Sequence, residues 1–97
     1  MDKFEIYKLK AAGLSNEQVL RILAYCKEGQ SYPSLEEIAR IAGSRSIIHF
    51  VDKYRQLDDD RLHKDFERFP SLSIFDPEYP EELLQIYNPP VLLFYQG

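Results

Sequence analysis

Over residues 1–69 apolar positions recur every three or four residues, the spacing that lays one stripe along a helix, and after Pro70 that rhythm stops. The stretch KFEIYKLKAA (3–12) predicts a short helix closed by Gly13, with Phe4, Tyr7 and Ala11 on one side. Ser15 caps a second helix; Asn16, Glu17 and Gln18 form its first turn, and Val19, Ile22, Leu23 and Cys26 follow at helical spacing up to Gly29. After the loop GQSYP, Ser34 and Glu37 form the capping box of a third helix, whose Leu35, Ile38, Ala39 and Ala42 face inward before Gly43 ends it. A fourth helix starts near Ser44, with Ile47, Phe50, Val51 and Tyr54 as its apolar stripe and Arg45, His49, Asp52, Lys53 and Gln56 opposite. Asp58-Asp59-Asp60 opens a fifth, where carboxylates meet the positive end of the helix dipole, and Leu62, Phe66 and Phe69 follow along one face.

Beyond Pro70 the reading is a strand (72–75), a turn (76–80), a short helix from Pro80 to Ile86, and a second strand from Val91 to Tyr95. VLLFY shows no alternation, so it predicts a strand buried on both faces, as in a parallel sheet covered by helices. Five helices followed by strand-helix-strand imply two units, residues 1–69 and residues 70–97. Two short strands do not make a stable covered sheet alone. The expectation is therefore an N-terminal piece of a longer protein, with exposed apolar surface around Val91 to Tyr95 and a tendency to self-associate.

Charge narrows the function. Residues 1–69 hold all 12 Lys and Arg and 12 of the 16 Asp and Glu, whereas residues 70–97 hold only acids. No segment has the cationic excess that non-specific nucleic-acid binding needs, so any DNA contact is local. A single cysteine, Cys26, excludes an internal disulfide and reads as a core thiol; with no apolar leader or long apolar span, the expected location is cytoplasmic, with no membrane partner.

No nucleophilic triad, zinc cluster or Gly-rich phosphate loop is written in the chain, so no catalytic, metal-ligating or cofactor-binding residue is assigned and no enzyme activity is expected. His49 and His63 have no ligand-spaced companions, and the acidic triplet reads as a helix start. Residues 34–55 have the spacing of a helix-turn-helix, which would offer Arg45, His49 and Lys53 to a DNA groove. Asp52 and the triplet dilute that face, which favours a solvated or protein-docking surface.

The pattern Tyr79-Pro80-x-x-Leu83-x-x-Ile86-x-x-Pro89-Pro90-x-x-Leu93-x-x-x-Gly97, preceded by LSIFD, resembles the start of the Rossmann-like domain of the DNA-processing protein A (DprA/Smf) family, closest in wording to streptococcal members. The upstream order EIYKLKAAGLSNEQVLRIL, EIARIAG, DKYRQLDDDRLHKDFERFPSLSI is similar to the small sterile-alpha-motif-like domain that precedes that core. The resemblance implies a mainly α chain: a sterile-alpha-motif-like bundle, then the first strand-helix-strand of a truncated Rossmann-like α/β domain. It further implies a protein of natural transformation that binds single-stranded DNA, helps load the RecA recombinase and dimerises through its core, the helical part docking a competence response regulator. The family's DNA pocket falls beyond residue 97, so the matched residues read as architecture: Tyr79 packs the junction, Pro80 starts the short helix, Leu83 and Ile86 face the sheet, Pro89-Pro90 stiffen the approach to the strand, Leu93 is buried, and Gly97 permits a tight turn. Two rival readings are a nucleotide-dependent Rossmann enzyme and a helix-turn-helix regulator.

Overall fold

The computed structural model describes residues 3–28 and 34–94. They form, in order, α1 (Lys3–Ala11), α2 (Asn16–Glu28), α3 (Leu35–Ala42), α4 (Ile47–Arg55), α5 (Asp59–Glu67), β1 (Ser71–Ser73), α6 (Glu81–Leu84) and β2 (Leu92–Phe94). The expected helix end at Gly29, the loop to Pro33 and the positions Tyr95 to Gly97 lie outside the described residues.

Two helix ends are built alike. Gly13 and Gly43 adopt positive φ, at 106° and 73°. In each case the glycine N–H and the next N–H turn back to carbonyls of the last turn: Gly13 to Lys10 (3.0 Å) and Leu14 to Leu9 (3.3 Å), Gly43 to Arg40 (3.1 Å) and Ser44 to Ala39 (2.9 Å). Ser15 and Gln18 cap α2 reciprocally, the serine Oγ accepting from the Gln18 N–H and the Gln18 side chain accepting from the Ser15 N–H. α4 begins at Ile47, later than the expected Ser44, because the Ser44 N–H is already engaged in closing α3; Ser46 is the true cap and accepts from the His49 N–H.

α2 packs on α3 and α3 on α4, while α1 touches α2, α4, α5 and β2. This central place explains the one helix whose inner face differs from expectation. Ile6 and Leu9 are fully buried, whereas Phe4, Tyr7 and Ala11 are half-buried and form a second stripe. Phe4 and Tyr7 meet Phe66 of α5 at ring distances of 5.6 and 5.4 Å, and Tyr7 meets Phe94 of β2 at 5.8 Å. With Val19, Ile22, Ile38 and Val91, the inner stripe forms the fully buried centre, each such side chain contributing about 1.5–3 kcal/mol. α5 buries no side chain completely, and Phe69 is exposed because the helix ends at Glu67 before its stripe reaches that position.

The strand-helix-strand order is present, but β1 and β2 pair antiparallel, Ser71 facing Phe94 and Ser73 facing Leu92. The connection, residues 74–91, returns the chain to the end of β1 from which it left. β2 is consequently not buried on both faces: Val91 and Leu92 enter the core, Leu93 is half-buried, and Phe94 is 44% exposed. The apolar exposure expected around Val91 to Tyr95 thus reduces, within the described residues, mainly to Phe94.

A buried cation ties three helices together. Lys8 is only 9% exposed, and its Nζ lies 3.2 Å from Asp59 of α5 and 4.8 Å from the ring centre of Tyr54 of α4. The Tyr54 hydroxyl donates to Glu5 at 2.9 Å. Burial alone would lower the Lys8 ammonium, but its hydrogen bonds to Asp59 and Tyr54 and the charge of Glu5 outweigh it and hold the group above the ordinary 10.5. Burial, then the Glu5 partner, raises the Tyr54 hydroxyl above 10.0.

Because both groups are raised on folding, their contribution is fully present below the unfolded values and is lost as the pH climbs through the folded ones. Thermal melts should therefore hold level up to about pH 10 and then fall. Lys8→Met should lessen that alkaline fall.

Candidate functional site

Arg45, His49 and Lys53, separated by four residues each, line one depression, together with Ala12, Gly13 and Leu14 of the α1–α2 turn, Gln18 of α2, Ser44 and Phe50. The three basic side chains are exposed, and Phe50 is buried beneath them. Among the described residues Arg45 and Lys53 form no ion pair, unlike Lys3 with Asp76, Lys8 with Asp59 and Arg55 with Glu36. Lys53 reaches across to the end of α1. Its Nζ lies 3.4 Å from where a Cβ on Gly13 would stand, and an ammonium there complements the negative end of the helix dipole. Arg21 stands in the same relation to Gly43 and donates to the Ala42 carbonyl at 3.3 Å. The α3–α4 pair has helix-turn-helix order, yet these side chains line a concavity shared with α1 and α2.

His63 is elsewhere. It stacks edge-on against Phe4 at 4.8 Å and its Nδ1 lies 3.1 Å from Glu67, away from His49. Cys26 is half-buried and packs against the core. Among the described residues no group of three His, Cys, Asp or Glu is placed to hold a metal, and no helix is long and apolar enough to cross a membrane.

The Tyr-Pro to Pro-Pro residues form a second locus, the junction between the helices and β2. Two consecutive prolines supply carbonyls but no N–H, so the first donor available at β2 belongs to buried Val91. Asn16, in the first turn of α2, satisfies both kinds of group: its Oδ1 accepts from the Val91 N–H at 2.8 Å, and its Nδ2 donates to the Pro89 carbonyl at 2.7 Å and to the Asn88 side chain at 2.8 Å. Tyr79 is buried and its hydroxyl donates to the Pro90 carbonyl at 2.6 Å; burial raises this phenol above its ordinary value. Pro80 is the cap residue of α6 with φ −60°. Leu83 is half-buried, as is Leu93, which was expected to be buried; Ile86, expected to face the sheet, is 48% exposed because α6 ends at Leu84. Gly97 lies outside the described residues.

Asn16 carries the junction, and the sequence reading gave it only a place in a helix first turn. One signal was available: a residue of poor helix propensity just after a Ser cap has a side chain with no local task.

A family model described as the DNA processing protein A sterile alpha motif domain matches residues 1–62. The DNA processing protein DprA of Streptococcus pneumoniae (strain ATCC BAA-255 / R6) is 48% identical over 94 residues, which is 97% of this chain and 33% of that protein. The X-ray structure of DNA processing protein A (DprA) from Streptococcus pneumoniae is similar with a TM-score of 0.91 at 46% identity, again over 97% of this chain and 33% of the other. The chain therefore spans about a third of the length of the relative it matches.

Asn16→Ala removes the acceptor of a buried N–H along with two donated bonds, so urea unfolding should show a loss of about 1–3 kcal/mol. The Val91 amide should exchange with solvent faster in that variant. Asn16→Asp keeps the Val91 acceptor but sets a carboxylate against the Pro89 carbonyl, and it should also destabilise.

Proposed function

The chain belongs to the DNA processing protein A family, and we propose that it is the helical accessory part of a cytoplasmic protein that binds incoming single-stranded DNA and helps load the RecA recombinase onto it during natural transformation. The supporting observation is that one fold similarity runs unbroken through the helices and the junction, at a TM-score of 0.91 over 97% of the chain. A helical match alone would fit many small bundles. The added Tyr79, Pro80, Pro89 and Pro90 junction, with each backbone group of residues 89–91 matched by a side chain or strand partner, favours a helical unit of residues 1–69 leading into a Rossmann-like unit from residue 70.

In this reading the chain catalyses nothing and takes no cofactor. Its task is docking, with a competence response regulator as the partner of the helical unit and dimerisation left to the core of the longer protein. The outward side of α4 supports a docking role: Ile48 is 76% exposed beside the basic depression, in a helix whose opposite side is already committed to the core. A free-standing helix-turn-helix regulator is disfavoured by the same geometry, since its three basic residues line a depression shared with α2 and the α1–α2 turn.

The test uses a longer protein that carries this segment ahead of a core domain. It should bind a single-stranded oligonucleotide and shorten the lag of RecA assembly on it several-fold. A version lacking residues 1–69 should keep strand binding and lose capture of the response regulator. Failure both to bind and to shorten the lag overturns the reading.

A further inference from the structure

Among the described residues, the depression between the α1–α2 turn and α4 gathers cations that no carboxylate pairs, Lys53 facing only the C-terminal end of α1. Arg45 and Lys53 find no carboxylate among the described residues, and neither Asp nor Glu is among the residues that line the space; Asp52 and Glu17 only neighbour lining residues in sequence. Like charges gathered on one wall repel, a cost that an anion lowered between them reverses. The remaining lining suits close approach of a backbone: Ala12 and Gly13 are small, and Gln18 and Ser44 are neutral hydrogen-bonding groups.

We propose that this depression is a phosphodiester-binding site that seats the backbone of a single DNA strand, with Arg45 and Lys53 as the charged ligands and His49 as a ring donor between them. The guanidinium fork and the ammonium match a tetrahedral oxyanion better than they match a flat amide or an apolar group. The space, ≈ 290 Å³, holds a phosphate with part of its sugar. It is concave, whereas a helix that reads duplex DNA must protrude into a groove about 12 Å wide. A flexible strand can fit a phosphate to this concave wall with less distortion than a rigid duplex. The choice of DNA over other polyanions rests on the proposed function above; the anion chemistry rests on the depression alone. With two fixed cations the site is weak and salt-sensitive, a guide for the strand rather than its main anchor.

The 97-residue chain is titrated by fluorescence anisotropy with labelled oligothymidylate and with a duplex of equal length, across a salt series. The expected result is weak binding that favours the single strand. Arg45→Ala with Lys53→Ala should make the logarithmic salt dependence shallower by about 1.4, two phosphate contacts at roughly 0.7 each. Arg61→Ala with Lys64→Ala, on exposed positions of α5, should leave it unchanged. Inorganic phosphate followed by NMR should move the His49 ring resonances in the parent chain and not in the Arg45, Lys53 double variant. An unchanged salt dependence in that variant, an equal loss in the α5 control, or tighter binding of duplex overturns the site. None of these outcomes bears on recombinase loading by the longer protein, so the two readings fail separately.

Discussion

Two successive prolines impose the demand around which the C-terminal part of this chain is arranged. Residues 89 and 90 carry carbonyls and no N–H, and Val91, fully buried, carries an N–H that water cannot reach. Side chains from two different elements answer: Asn16 from the head of α2 and Tyr79 from the segment before α6. Only with those groups matched can Val91 and Leu92 join the cluster built by the helices, and only then does β2 lie where β1 can pair with it. The helical part and the part beyond Pro70 are thereby held in one packed body.

α1 performs the corresponding service for the helices. A nine-residue helix with two apolar stripes and a buried lysine has little polar surface left to spend on solvent, and it contacts elements on several sides. Lys8 is tolerated there because every component of its charge is answered, by Asp59, by Glu5 and by the face of the Tyr54 ring. Replacing one partner would strand the others, which makes the network a device for fixing how α1, α4 and α5 meet.

The helices were legible in the sequence because their signals are local. Ser34, Asp58, Gly13 and Gly43 each act on backbone within one turn, and they mark the ends found in the structure. What misled was long-range. Phe4, Tyr7 and Ala11 do form a stripe, but which of two stripes faces the centre depends on what else packs there, and Ile6 with Leu9 took that place. VLLFY carries the composition of a doubly buried strand, but its antiparallel pairing with β1 is a long-range outcome that local apolar pattern does not encode. Of the basic residues, the four-residue spacing of Arg45, His49 and Lys53 was readable, while the concavity they share was not, because its far wall belongs to residues about thirty positions earlier. Asn16 escaped for the same reason: its partners lie 72 to 75 residues away.

α5 stands apart in how it is attached. It contributes no completely buried side chain and is held by ring contacts of His63 and Phe66 and by one half-exposed ion pair. An element attached mainly by ring contacts opens at a lower free energy than the buried core, at a cost set largely by the Lys8–Asp59 pair that must break. The brief openings would bare Phe4, Tyr7 and Phe94 together, turning a stable domain into one that intermittently presents an aromatic face to whatever is tethered nearby.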